Sequence, residues 1–310
     1  MRVIDDFLGS GERFEKTVLT IGSFDGVHVG HQAIIRRVVE AAREAGAVPA
    51  LMTLDPHPRA FFSPESAPPQ LTTLEMKQRV AASLGIAFFF VLRFNESVAV
   101  IAREEFLNGI LIGRCGAQRL IVGHDFRFGR GAKGTVDYLR EAAPPLGVPV
   151  EEIMPLCIHE ERASSTRIRH LLQHWELERA NEMLGRAYTL VGEVVRGRGM
   201  GRQLGFPTAN IRPFHTALPG NGIYACVATV DGETHLAAVN VGWAPTIAHD
   251  EITVEAFLLD FDGDLVGKTI ELDFHHFLRP ELKFDSLDSL IEAIGKDVAL
   301  VRKLFAAEQV

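Results

Sequence analysis

The chain has little cysteine, no long apolar run and no excess of basic charge, and each shortage excludes a class of protein. Its three cysteines, Cys115, Cys157 and Cys226, are odd in number, widely spaced and in no C-x-x-C pair. Neither a disulfide framework nor a cysteine-based zinc site is supported, and a reducing cytoplasm is the expected compartment. The longest apolar run, residues 81–92, is broken by Ser83 and Gly85; it is too short to span a bilayer and reads as core. Met1-Arg2-Val3-Ile4-Asp5-Asp6 lacks the basic start and apolar stretch of a signal peptide, so export is not expected. A formal net charge of -8 argues against a grip on nucleic acid through its phosphates, while leaving room for a local basic pocket around a small anion. Internal repeats and low-complexity tails are absent from the sequence as well.

What is there is the composition of an ordinary globular protein, 47% hydrophobic and 23% charged over 310 residues, long enough for two domains with separate cores. The first half alternates patterns: extended at 17–21, 48–54, 86–92, 120–122 and 148–158, helical at 31–45, 73–84, 103–112 and 135–142. Such alternation implies a parallel sheet wrapped by helices, with ligands beyond the carboxyl ends of its strands. Near Gly185-Arg186-Ala187-Tyr188 the character changes to short β-rich runs at 190–195, 223–230, 236–241, 253–259 and 269–277. Asp231-Gly232 and Asp262-Gly263-Asp264 read as hairpin-type turns between them, which suggests an antiparallel barrel. A helix returns over 286–304, where Leu287, Leu290, Ile291, Ile294, Val298, Val301 and Leu304 trace one apolar face that should pack on the barrel. The expected fold is α/β: a Rossmann-like parallel-sheet domain at 1–184, and an antiparallel β-barrel domain with a terminal helix at 185–310.

The segment Gly22-Ser23-Phe24-Asp25-Gly26-Val27-His28-Val29-Gly30-His31 places two histidines three residues apart where the first strand turns into a helix. Unpaired N–H groups and the helix dipole favour an anion there, and two imidazoles add donors. Asp55-Pro56-His57-Pro58 follows a second strand, Gly123-His124-Asp125-Phe126-Arg127-Phe128-Gly129 a third, and Ser164-Ser165-Thr166-Arg167-Ile168-Arg169 opens a helix. Hydroxyls at a helix start can hold phosphate oxygens, and Arg169 can add a bidentate contact. Taken singly, an H-x-x-H pair is as compatible with surface or core histidines, and His57 between prolines with a plain turn.

Together and in this order, these segments resemble the nucleotidyltransferase domain of the bacterial bifunctional riboflavin kinase/FMN adenylyltransferase family, over roughly the first 180 residues, with Ser23 where such proteins often carry Asn. The resemblance implies that ATP binds along Gly22, Phe24, Asp25, Gly26, Ser164, Ser165 and Thr166. Its α-phosphate would lie near His28 and His31, and the FMN phosphate would attack in line and expel pyrophosphate. It further implies a triphosphate contact for Arg169, a positioning role for Asp125 and flavin contacts at Asp55 and His57.

In the β-rich half, Gly197-Arg198-Gly199-Met200-Gly201-Arg202-Gln203-Leu204-Gly205-Phe206-Pro207-Thr208-Ala209-Asn210 combines a glycine run with a proline and two oxygen ligands. It lacks the Walker spacing, and its glycines alone would suit a barrel loop. The run is similar to the G-x-x-x-G-R-x-L-G-F-P-T-A-N segment of the riboflavin kinase domain of the same family. That likeness implies ATP contacts at Gly199, Gly201, Arg202, Gly205 and Pro207, and magnesium held with the ATP phosphates by Thr208 and Asn210. Asn240-Val241-Gly242-Trp243-Ala244-Pro245-Thr246 matches a second element, and Thr253-Val254-Glu255-Ala256-Phe257 a strand bearing the catalytic acid, with Glu255 as general base. Arg279-Pro280-Glu281 matches an element beside the flavin ring, so the implied flavin contacts are Asn240, Arg279 and Glu281. Val266 and Ala293 stand where tyrosine and glutamine are common.

The resemblance thus implies a cytoplasmic enzyme that turns riboflavin and ATP into FMN, then FMN and ATP into FAD. It would use Mg2+ and small-molecule substrates, without nucleic acid or membrane, and with self-association left open. Two other readings stay open on the residues alone: an aminoacyl-adenylate-forming ligase, which shares the H-x-G-H logic but would need a K-M-S-K-S-like loop, and a non-catalytic flavin sensor.

Overall fold

Apolar runs buried on both faces build the first sheet of this computed structural model, which describes residues 1–197, 201, 204–214, 217–245 and 250–307, with the side chains of 243–245 and 250–252 left aside. Strands β1 (Arg2–Ile4), β2 (Thr17–Gly22), β3 (Val48–Asp55), β4 (Phe88–Arg93), β5 (Ala117–Gly123) and β6 (Val150–Ile153) pair in the order β1-β4-β3-β2-β5-β6, parallel throughout. Successive residues feed opposite cores: Leu19, Met52, Phe90 and Val122 one, and Val18, Leu51, Phe89 and Ile121 the other. This two-sided burial is why these strands read as continuous apolar runs. The chain leaves β2 toward β3 on one side and returns to β5 on the other, so the strand order reverses between β2 and β5. Their carboxyl ends frame the crevice where an open α/β sheet binds ligands.

The helix Val29–Ala45 buries Ile35, Val38, Ala41 and Ala42 against the second of these cores, and Gly46 in the left-handed region ends it. The expected helix at 103–112 is helical but mixed: Arg103–Glu105 is α, and Phe106–Ile112 is wound as π. The wider turn still puts Phe106, Leu107, Ile110 and Leu111 into the core. The extended stretch expected over 148–158 is in fact two pieces. β6 ends at Ile153, and β7 (Cys157–Ile158) pairs with β8 (Glu161–Arg162) in a small hairpin of its own.

By packing, the first unit comprises Met1–Pro68 and Leu74–Ser164, and the second Pro69–Thr73 and Ser165–Val310. Helices Ser165–Gln173 and Leu177–Leu184 therefore side with the barrel. Asn181 ties them there, donating to the Phe274 carbonyl at 2.9 Å and accepting from the Tyr188 N–H at 2.8 Å.

The second unit is a closed antiparallel barrel of β9 (Tyr188–Val195), β10 (Ala209–Pro213), β11 (Gly222–Val230), β12 (Glu233–Pro245), β13 (Asp250–Leu258) and β14 (Thr269–Arg279), in the order β10-β13-β12-β11-β14-β9. Alternation holds at Val194, Ile211 and Val254, which are buried while their neighbours are not. Asp231 (φ 52°) and Gly232 (φ 87°) make the two-residue turn joining β11 to β12, the backbone that Asp-Gly suits. Asp262-Gly263-Asp264, by contrast, closes no hairpin, because β13 and β14 are not neighbours in the barrel. The terminal helix Leu287–Ala307 lays Val298, Val301, Leu304 and Phe305 over Ala225, Val227, Ala238 and Phe257 on the outer wall.

Candidate active sites

β2 ends at Gly22, and the chain passes through the 3-10 turn Asp25–Val27 into the helix Val29–Ala45. Phe24 (φ 47°) and Val27 (φ 40°) are both left-handed, a conformation worth roughly 1–3 kcal/mol of strain for non-glycine residues. Burial of both side chains in the core beneath the helix holds it. The turn makes His28 the N-cap, its Nδ1 accepting from the backbone N–H of His31 at 3.4 Å, so a neutral His28 carries its proton on Nε2. The two imidazoles stack with centroids 3.7 Å apart. Gly30 permits this, for a Cβ there would stand 3.2 Å from the His28 ring. Burial, with the charges of His28 and Lys77 adding to it, holds the pKa of His31 well below its ordinary value. Its buried Nδ1 has no hydrogen-bond partner among the described residues. A neutral His31 stacked on His28 at a helix N-terminus makes a buried donor set that an anion can enter.

Around this pair the structure brings together Gly22, Phe24, Asp25 and Gly26 from the β2 turn. Ala163 is also near, its carbonyl 3.9 Å from where a Cβ on Gly30 would be, which brings the adjoining Ser164 alongside. Asp55 ends β3 and is ion-paired with Arg93, which also binds Asp5 at 2.6 Å. His57 caps the short helix Pro58–Phe62, its Nδ1 accepting from Arg59 N–H at 3.1 Å. Asp125 is exposed, pairs with Arg162 at 2.5 Å and lines a polar cavity with His124, Thr135, Arg140 and Glu152. Ser165, Thr166 and Arg169 open the helix Ser165–Gln173 in the second unit, where Arg169 Nε donates to the Pro69 carbonyl at 2.7 Å.

Two features here escaped the sequence reading. Lys77, on the helix Leu74–Ser83, is only 5% exposed. That helix packs on the turn Asp25–Val27, and the ammonium feels Asp25, Asp55 and His31. Beyond the ends of the strands lies a mainly apolar cleft of about 410 Å³, lined by Phe62, Phe94, Phe106, Phe126 and Phe128 with Arg59 and Arg127 at its wall. Its size suits a small-molecule ligand, and its walls suit a flat aromatic one.

In the barrel four of the expected residues, Asn210, Glu255, Asn240 and Arg279, fall into a single row. Register pairs Val195 with Asn210, Asn210 with Glu255, Glu255 with Asn240, Asn240 with Ile223, and Ile223 with Arg279. All are half-buried on the outer face, next to the rows that the terminal helix covers. Thr208 Oγ1 lies 3.5 Å from Glu255 Oε2, and Phe206 pins the loop before it edge-on against Phe257. The buried Oδ1 of Asn240 has no hydrogen-bond partner among the described residues. Glu281 folds over Gly242, where a Cβ would meet its carboxylate at 2.1 Å. Arg279 is held by Asp297 of the terminal helix through two hydrogen bonds, 3.0 and 2.7 Å. Gly201 packs beside the Thr208 hydroxyl, Gly205 turns at φ 84° and Pro207 is exposed. Gly199, Arg202 and Thr246 lie outside the described residues.

Hydroxyl, amide and carboxylate oxygens at one place form the hard donor set that magnesium takes together with phosphates. Among the described residues no group of three or more His, Cys, Asp or Glu is placed to hold a metal, so a cation here would rely on few protein oxygens.

Fold and sites together define a two-site phosphorus-group transferase, a nucleotidyltransferase-type sheet followed by a kinase-type barrel. Residues 11–167 match the family model described as FAD synthetase, and residues 184–305 the one described as riboflavin kinase. A bifunctional riboflavin kinase/FMN adenylyltransferase of Pseudomonas fluorescens is 39% identical over 93% of each chain. One of Escherichia coli is 35% identical, over 94% of this chain and 93% of that one. The chain belongs to the bifunctional riboflavin kinase/FMN adenylyltransferase family. A solved structure described as a macrolide-efflux protein from Streptococcus pneumoniae superposes with a TM-score of 0.85 at 26% identity, covering 97% of this chain and 98% of that one. Among the described residues here, no helix is long and apolar enough to cross a membrane.

Proposed function

We propose that the two sites divide FAD synthesis between them. The barrel phosphorylates riboflavin to FMN, and the parallel-sheet site adenylylates FMN with a second ATP, releasing pyrophosphate. The catalytic division is placed at 184/185, although the helices between 165 and 184 pack with the barrel. The observation that carries this reading is that each unit has its own site for phosphate chemistry: a dry imidazole pair at a helix start in one, a Thr-Asn-Glu cluster in the other.

In the barrel, Glu255 orients the terminal hydroxyl of the ribityl chain and takes its proton as the γ-phosphoryl group transfers. Thr208 and Asn210 are the residues that would hold magnesium, whose charge would offset that of the phosphates. Asn240 offers its unpartnered carbonyl oxygen to the flavin, and Arg279 and Glu281 frame the ring. In the sheet unit, His28 and His31 donate to the phosphoryl oxygens on which charge grows, each such donor being worth about 2.7–4 kcal/mol in a water-excluding site. Gly22, Phe24, Asp25, Gly26 and the hydroxyl of Ser164 hold the nucleotide; Ser165, Thr166 and Arg169, at a helix start of the second unit, are our further candidates for phosphate contacts. Asp125 positions substrate, and the phenylalanine cleft beside Asp55 and His57 takes the isoalloxazine ring. The substrates are small molecules, and the cytoplasm is the compartment we assign.

Incubating the purified chain with riboflavin, ATP and magnesium and separating the flavins tests the reading. FMN and then FAD should appear; neither appearing would defeat it. Amino-acid-dependent pyrophosphate exchange would instead favour the ligase reading.

A further inference from the structure

Lysine usually keeps its ammonium in water by running its methylenes along the surface. Lys77 does so only marginally: the residue is 5% exposed, its Nζ is not among the fully buried unpartnered atoms, and among the described residues no carboxylate holds it in an ion pair. Burial pulls its pKa down, and Asp25 and Asp55 only partly oppose this. The fold therefore carries a largely buried cation whose donors the chain's own carboxylates do not take up.

The place of this cation supplies a reason for it. Lys77 lies on the helix that packs against the turn Asp25–Val27. The groups its charge reaches, Asp25, His31 and Asp55, all stand at or just beyond the carboxyl ends of β2 and β3. His31 Nδ1, in the same cluster, is likewise buried and without a partner. Two polar groups with unused hydrogen-bonding capacity, the fully buried His31 Nδ1 and the Lys77 ammonium, thus stand near the start of the helix Val29–Ala45. A phosphate oxygen entering there would give the ammonium the acceptor that it lacks. An ammonium suits a group that moves during reaction, being a compact charge whose three donors rotate freely, unlike the fixed fork of arginine.

We propose that Lys77 is a further substrate-binding residue of the adenylyl-transfer site, its ammonium donating to a phosphate oxygen of ATP or of FMN. This rests on the assignment of adenylyl transfer to the sheet unit. The rival account is a structural cation that merely balances Asp25 and Asp55, and stability separates the two. An unpartnered buried charge can be replaced by an apolar side chain of similar length at no cost, whereas removal of a stabilising ion pair destabilises.

The test uses the full chain, with riboflavin phosphorylation as its internal control. Lys77→Met should lower kcat/KM for FAD formation about 100-fold, leave FMN formation unchanged and leave the thermal midpoint unchanged or raised. Lys77→Arg should recover part of the loss. A rise in KM for ATP alone places the contact on the nucleotide and a rise for FMN alone on the flavin phosphate. A fall in kcat with both KM values unchanged places it on the oxygens that gain charge in the transition state. The proposal is overturned if FAD formation by Lys77→Met equals that of the unaltered chain, or if both activities and the thermal midpoint fall together. Should the methionine variant be insoluble, Lys77→Gln decides by the same outcomes. An unaltered chain that makes no FAD would defeat the assignment of the site itself, a result distinguishable from failure of Lys77 alone.

Discussion

The two halves build their sites in opposite ways. In the parallel sheet the functional residues follow one another along the chain, because loops at the carboxyl ends of strands gather there by topology. In the barrel they come from distant strands, and register alone aligns Asn210, Glu255, Asn240 and Arg279 in one row. The first site is also buried and strained, with left-handed Phe24 and Val27 locked into a core. The second lies half-exposed on an outer wall, beside the rows that the terminal helix covers. Chemistry and stability should therefore be entangled at the imidazole pair of the sheet unit and separable at the barrel's row.

The largest effects would break or confirm that contrast directly. Glu255→Gln is expected to lower FMN formation by about 10²–10⁴-fold, the range for loss of a positioned base, while FAD formation from supplied FMN and the thermal midpoint stay unchanged. His28→Ala combined with His31→Ala is expected to do the reverse to the two activities and to lower the midpoint too. Loss of both activities in either variant, measured by separating the flavins, would refute the division. Gly30→Ala should act more mildly. Its Cβ would press on the His28 ring from 3.2 Å, so the imidazole must move by a few tenths of an ångström, and FAD formation should fall about tenfold. The fold should be kept, since alanine is the better helix former.

The same contrast governs how much was legible. Segment order along the sheet half pointed to His28, His31, Asp55 and Ser164 as candidates, because motifs at the carboxyl ends of successive strands can be read in chain order. Barrel strands were legible from alternation, except β10, where A-N-I-R-P offers only Ala209 and Ile211 as inward residues before a proline ends the pattern. Lys77 was hidden because a lysine in an amphipathic helix reads as solvated by default, and nothing in L-E-M-K-Q-R-V says otherwise. The phenylalanine cleft was hidden because its walls come from separate segments, and periodicity carries no information on convergence. Asp297 sits between Ile294 and Val298, where a charge reads as the helix's wet side, yet it is among the helix's buried residues.

That aspartate links the terminal helix to the flavin end of the barrel row. Asp297 and Arg279 are largely buried and doubly hydrogen-bonded. Asp297→Asn leaves the guanidinium with a weaker partner, so Arg279 should sample other positions. The expected outcome is a several-fold rise in KM for riboflavin with a smaller change in kcat, and FAD formation from FMN untouched. A change in kcat alone would place Arg279 away from the flavin and weaken the reading of the row.

The smallest effect tests the dryness of the sheet site. The pKa of His31 in the folded chain lies well below its ordinary 6.5, by burial first and then by the charges of His28 and Lys77. Above 6.5 neither the folded nor the unfolded chain protonates this ring, so it adds no pH dependence there. As pH falls below 6.5 the unfolded chain takes up a proton that the folded chain refuses, and stability drops until the folded value is reached. Urea unfolding of the unaltered chain between pH 7 and 5 should show that loss, and His31→Asn should show a shallower slope over the same window. Equal slopes would mean that water or a counter-charge reaches the imidazole, and the sheet site would then be no drier than the barrel's.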